Sequence, residues 1–204
     1  MSSIKINLKK TDEDLFMKSK WWGNPDLPLD VDAPDCSTFI CQIRCDEIAQ
    51  LDVDNRLPHK GMLYFFGELD YYLGDFDAYV PDMYWDSDDI KVLYVEDLEN
   101  QEFEEVVFVD EDDNPYAFEP LAMEFSKDGD FAISTKLLGA PNNRQWEDWD
   151  EPFNGWVELL QIESDDYGEG SLNFMDCGVL HIILDPKDLA NKNFDNVTAI
   201  VCSS

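Results

Sequence analysis

The densest group of reactive side chains beside a predicted strand end is Glu163, Asp165, Asp166 and Asp176. Clustered carboxylates could hold a hard cation such as calcium through their oxygens, or raise one another's pKa until one serves as a general acid. This pattern defines one reading of the chain, a metal-dependent hydrolase or other enzyme that uses Asp165, Asp166 and Asp176. A second constellation is the pair Gln42 and Gln161, each flanked by apolar residues. A buried amide has an acceptor oxygen and two N–H donors, and each bond it fails to make costs about 1–3 kcal/mol. The two glutamines either pin loop backbone or meet in a ligand-binding groove between the two halves of the chain.

Other arrangements are incomplete. Cys177 and His181 stand four residues apart, which on an extended strand separates them by roughly 13 Å, too far for proton transfer. The acidic run Asp110-Glu111-Asp112-Asp113-Asn114 has Pro115 where a calcium loop needs glycine and Leu121 where it needs a bidentate glutamate, so it reads as a solvated hairpin turn. Gly168-Glu169-Gly170-Ser171 places a negative charge where a phosphate loop needs a lysine. Cys36, Cys41 and Cys45 lack paired zinc spacing, and only His59 and His181 could complete such a site. No catalytic residue, metal or cofactor is therefore assigned. The five cysteines, an odd number, read as reduced thiols in the cytosol.

Charge is the dominant compositional feature: 14 Lys and Arg against 46 Asp and Glu give a net charge of −32 over 204 residues. Between residues 61 and 120, Lys91 is the sole base among 19 acids, and residues 145–186 hold 11 acids and no Lys or Arg. Such a field repels phosphate backbones, which excludes nucleic acid as a partner, and it steers cationic partners inward. Trp146 and Trp149 lie within the acidic segment Gln145-Trp146-Glu147-Asp148-Trp149-Asp150-Glu151. Aromatic anchors ringed by acid suit the basic surface of a protein partner. No apolar run reaches the roughly 20 residues needed to span a bilayer and no secretory segment is evident, so the expected location is the cytoplasm, without a membrane partner.

The elements that must position these groups are mostly strands. An apolar fraction of 44% is sufficient for a core. Ile4, Ile6 and Leu8 alternate with polar residues, and further strands are predicted at residues 38–43, 62–66, 90–95, 106–109, 116–125, 156–162, 179–184 and 197–201. Short helices are predicted at residues 46–51 and 186–190. The order strand, Gln-Ile, connection, Gly, strand occurs twice, around Gln42 and Gly61 and around Gln161 and Gly178. The expectation is a β-dominated α+β single domain over residues 1–204, built from two pseudo-symmetric strand-rich repeats at approximately 36–98 and 153–204, with a few short helices.

Several blocks together resemble the YwqG-like proteins, a bacterial domain family of unknown function. They are Gly23-Asn24-Pro25-Asp26-Leu27-Pro28, residues 39–43, residues 57–66, Leu137-Leu138-Gly139-Ala140-Pro141 with Gln145, residues 159–166 and Asp176-Cys177-Gly178-Val179-Leu180. The chain departs from the family pattern at Trp22, where a second glycine is usual, at Ala140, where Tyr is usual, and at Phe174-Met175, where Trp-Gly is usual. The resemblance implies an α+β domain with two structural repeats and no established chemistry. Members occur near bacterial polymorphic toxin genes, which implies an immunity role. With the acidic surface, the preferred reading is a non-catalytic binding protein, an immunity-type or inhibitory partner of a basic protein or toxin.

Overall fold

The computed structural model describes residues 3–36, 38–109, 114–129, 133–142 and 153–203. In the first half, the strands are β1 (Ser3–Lys9), β2 (Lys20–Trp21), β3 (Asp26–Pro28), β4 (Thr38–Arg44), β5 (Met62–Gly67), β6 (Tyr84–Trp85) and β7 (Ile90–Val95). The second half adds β8 (Phe103–Glu105), β9 (Leu121–Asp128), β10 (Lys136–Leu137), β11 (Val157–Glu163), β12 (Asp165–Tyr167), β13 (Gly170–Leu172), β14 (Val179–Leu184) and β15 (Thr198–Cys202). Helix is confined, among the described residues, to α1 (Cys45–Ile48), α2 (Pro186–Ala190) and a single 3-10 turn at Tyr71–Leu73. Pro186 opens α2 at a position where its missing N–H costs nothing, and the Asp185 side chain caps the helix by accepting from the Lys187 N–H.

Eleven strands form one antiparallel sheet in the order β6-β15-β14-β11-β10-β1-β9-β2-β4-β5-β7. Its two outermost strands, β6 and β7, are separated by only four residues of chain, so the sheet curls until its edges approach and becomes a nearly closed barrel. Curling buries one face completely. Leu63, Phe65, Ile182, Leu184 and Val201 belong to the large inner cluster, while Met62, Tyr64 and Phe66 on the opposite face of β5 pack beneath the two-stranded sheet of β3 and β8. A smaller cluster of Phe153, Ile183, Ile200 and Cys202 covers the outer face at β14 and β15. Strands β4, β5, β11 and β14 are therefore buried on both faces, which explains why β5 reads as a continuous apolar run and the other three are largely apolar.

This arrangement corrects the α+β, two-repeat expectation. The two helices have four and five residues, too few to form a layer, and the protein is β-dominated. The halves also exchange strands: β6 of the first half pairs with β15 of the second, and β9 lies between β1 and β2. The strands of both halves therefore belong to one continuous sheet. Two further expectations shift. Residues 106–109 form no strand beyond one bridge between Val109 and Pro115, and the strand expected from residue 116 begins at Leu121. Among the described residues, no helix is long and apolar enough to cross a membrane.

The glycines that open β5 and β14 are there for want of space. A Cβ on Gly61 would stand 2.3 Å from the Val95 carbonyl oxygen, and one on Gly178 would stand 2.2 Å from that of Phe174 and 2.6 Å from that of Cys202. These are backbone atoms and cannot rotate away. Gly178→Ala should therefore destabilise the protein by about 1–3 kcal/mol or more, as overpacking of a rigid site does. A urea midpoint equal to that of the unaltered protein would show that the turn has slack.

Candidate functional site

The four carboxylates singled out from the sequence do not converge. Asp165 and Asp166 are exposed neighbours on β12, and adjacent strand residues point to opposite faces. The Asp165 Oδ1 accepts from the Asp166 N–H at 2.8 Å. Asp176 lies exposed in the turn before β14, and Glu163 is turned inward, where its Oε1 accepts from Gln161 Nε2 at 2.9 Å and from Asn142 Nδ2 at 3.1 Å. Among the described residues, no group of three or more His, Cys, Asp and Glu side chains is arranged to hold a metal ion. Trp146 and Trp149 lie outside the described residues, as does the acidic run from Asp110 to Asp113.

Both glutamines are fully buried and commit both amide N–H donors inside the protein. Gln42 Nε2 donates to the Lys18 carbonyl at 2.9 Å and to Asp26 Oδ2 at 2.6 Å, and its Oε1 accepts from the Asp26 N–H. Gln161 Nε2 donates to the Ser134 carbonyl and to Glu163, and its Oε1 accepts from the Asn142 N–H. Four strands, β10, β1, β9 and β2, stand between β11 and β4 in the sheet, so the two amides do not share a groove.

Around Gln42 lies the most demanding polar cluster of the molecule. Lys20 Nζ pairs with Asp26 Oδ1 at 2.9 Å while both side chains are almost wholly removed from water. The Met17 N–H and Gln42 Nε2 supply the carboxylate's remaining donors, and the Tyr64 hydroxyl donates to the Asp26 carbonyl at 2.6 Å. A buried ion pair survives only when its charges are so completely bonded. A second buried pair lies on the outer face at β11 and β14, where His181 Nδ1 and Glu158 Oε2 are 2.9 Å apart under the edge of the Phe153 ring. Desolvation is the largest single influence and acts to lower the His181 pKa, but the charge of Glu158 together with the hydrogen bonds to Cys202 and Glu158 outweighs it, and the imidazole is pushed up to about 9. The cysteines are all free, and burial pushes the thiols of Cys36 and Cys45 up to about 12, which makes them poor nucleophiles.

The cavity best formed for a ligand lies elsewhere. It holds about 170 Å³ and is walled by Trp22, Phe39, Phe108, Tyr116 and Phe118, with Asp70 and Asp75 at its side. It is built by the turn after β2, the start of β4, the 3-10 turn with its flanks, Phe108, and residues 116–118. A bulge in β4 leaves Ile40 out of the ladder with β5, and its carbonyl accepts from the Trp22 N–H at 2.9 Å, which draws Trp22 against Phe39. Trp22 adopts φ 60°, a left-handed conformation that costs an ordinary residue about 1–2 kcal/mol. Its indole is held by the Nε1–H donated to the Tyr167 carbonyl at 2.9 Å and by ring contacts with Trp21 and Phe118. Asp70 Oδ1 accepts from the Thr38 hydroxyl at 3.1 Å. Partial burial, followed by the charges of Asp70 and Glu68, pushes the Tyr116 hydroxyl above its ordinary pKa.

Sequence reasoning reached Trp22 as a departure from a family pattern, but not the cavity. Its walls come from positions 22 to 118, and no local motif links them. These features define a β-barrel-like domain with an acidic, aromatic-walled pocket. The chain belongs to the family described as Domain of unknown function (DUF1963), whose model matches residues 19–202. No curated protein matches it.

Two consequences can be measured. Asp26→Ala leaves Lys20 charged, buried and alone, and should cost about 3–5 kcal/mol in chemical denaturation, whereas Glu124→Ala at the exposed pair with Lys9 should cost at most about 1 kcal/mol. Similar losses in the two variants would show that the buried pair carries no special weight. His181 has a folded-state pKa raised from 6.5 to about 9, so its contribution to stability is complete below 6.5 and is lost as pH rises through 9. The stability difference between the protein and His181→Gln should shrink over that interval, and a difference that is flat from pH 6 to about 9.5 would contradict the charged pair.

Proposed function

We propose that the chain is a YwqG-like member of its family that acts by binding a basic protein rather than by catalysis, as an immunity-type or inhibitory partner working in the cytoplasm. The observation that carries this reading is a surface between the 3-10 turn and β7. There Phe76 is 77% exposed and Tyr79 63% exposed, and Met83 and Tyr84 are exposed beside them. Asp75, Asp77, Asp82, Asp86 and Asp88 are interleaved with these side chains, and residues 75–89 contain no Lys or Arg. Large rings are seldom left in water without use, and at interfaces they act as anchors. Surrounding acid selects a partner of opposite sign and accelerates its approach.

The segment is anchored at its end, because the Val201 N–H donates to the Met83 carbonyl and the Thr198 hydroxyl to that of Trp85. Its rings are thus presented from the sheet edge rather than from a free tail. This acid and aromatic pattern is the one the sequence suggested at Trp146 and Trp149, now supported at a second place.

The test is retrieval of a cationic protein on the immobilised chain from its own cells, followed by affinity measurement with the purified pair. Affinity should fall steeply between low and high salt, and the double variant Phe76→Ala, Tyr79→Ala should weaken it by about tenfold or more with an unchanged Tm, because both rings are solvent-exposed. A complex that is insensitive both to salt and to the double variant would overturn the reading.

A further inference from the structure

We propose that the aromatic-walled cavity is a binding site for a single organic cation, the guanidinium or ammonium head of an alkyl chain. For the origin of that cation, a side chain of the basic partner, the inference rests on the function proposed above. The chemistry of the site stands apart from it.

Three observations agree. The walls are aromatic faces, whose negative quadrupole attracts a cation and whose apolar surface accepts its alkyl stem. Two carboxylates stand at the side of the cavity without a cationic neighbour: Asp70 is oriented by the Thr38 hydroxyl and Asp75 by the Asp77 N–H, and no Lys, Arg or His side chain among the described residues pairs with either. The volume, about 170 Å³, is below the roughly 300–1,000 Å³ of pockets for drug-sized ligands and suits a side-chain head group. A hard metal ion does not fit this lining, since it needs six or more oxygen ligands and most of the wall is carbon. An anion would face Asp70, Asp75 and the nearby Glu68.

The position of Trp22 reinforces the assignment. Its backbone is held in the left-handed region, and Gly170 packs so closely that a Cβ there would stand 3.2 Å from Trp22 Nε1 and 3.3 Å from Phe118 Cε2. The fold thus accepts strain at a residue that lines the cavity, which is where strain tends to accompany ligand contact. Asp75 and Leu73 line this cavity, and Leu73 and Phe76 line a neighbouring depression with Met175, so Leu73 joins the cavity to the depression beside the exposed Phe76. A basic partner resting on that ring could insert one side chain.

The experiment is a titration of the isotope-labelled full chain with N-acetylarginine amide, followed through the Trp22 indole N–H resonance, with the uncharged isostere N-acetylcitrulline amide as control. Saturable binding of the arginine compound is expected, with at least tenfold weaker binding of the citrulline compound. The double variant Asp70→Asn, Asp75→Asn should lose about tenfold in affinity while the resonance of the free protein keeps its position. Tyr116→Ala, at a half-exposed ring, should also weaken binding. A glycyl-arginyl-glycine peptide that binds better than the amide assigns the cation to a protein partner, and one that binds worse assigns it to a free small molecule. No saturable shift at millimolar ligand, equal binding of citrulline, or an unaffected double aspartate variant would each overturn the site. Those results would leave the salt-dependent capture of a basic protein on Phe76 and Tyr79 intact, so the two failures are distinguishable.

Discussion

A lysine ammonium with almost no access to water is the constraint around which the first part of this structure is arranged. Lys20 has to be neutralised where it stands, and Asp26, six residues later, does so only because the chain turns back on itself through Trp22 and Gly23. The carboxylate in turn needs donors, which come from the Met17 backbone and from Gln42 on β4. One charge pair thus fixes how β2 sits against β4, where β3 begins, and how the intervening turn is directed. The pocket inherits its geometry from these requirements: Trp22 is placed by the turn, Phe39 by the bulge that frees the Ile40 carbonyl, and Phe108 and Phe118 by the chain that runs beside them.

The excess of acid is compatible with a stable fold because the interior is strictly partitioned. Buried carboxylates such as Asp26, Glu158 and Asp52 have named partners, while most of the remainder face solvent, where water and salt screen their mutual repulsion. Asp52 accepts from the Arg56 and Leu57 N–H groups and stands 3.2 Å from His59 Nε2, a purely local arrangement that closes the loop between α1 and β5. Charge inside the molecule serves register and turns. Charge outside is free to act on whatever approaches.

Long strands were legible in the sequence because burial on both faces writes a largely apolar run, as in residues 62–66 and 179–184. Short ones were not: Lys20-Trp21, Tyr84-Trp85 and Lys136-Leu137 carry two residues each, too few for any period, yet they join the sheet because longer neighbours recruit them. The apparent duplication misled for a related reason. Gln42 and Gln161, and Gly61 and Gly178, meet the same local demands of amide satisfaction and close backbone approach, but local similarity does not determine which strands pair across the whole sheet. The carboxylates Asp165, Asp166 and Asp176 looked convergent because they are close in sequence, and the hairpin of β12 and β13 keeps them apart. The candidate pocket was invisible for the opposite reason, since its residues are distant in the chain and become neighbours only after the sheet has curled.

The pairing of β15 between β14 and β6 has a consequence for the order of events during synthesis. Trp85 is made early but its strand partner, Ala199, more than a hundred residues later. Until that segment leaves the ribosome, one flank of the sheet has an unpaired margin. A nascent chain of this acidity has one safeguard during the wait: like-charged copies repel one another, which slows the edge-to-edge association that a long-lived open margin invites.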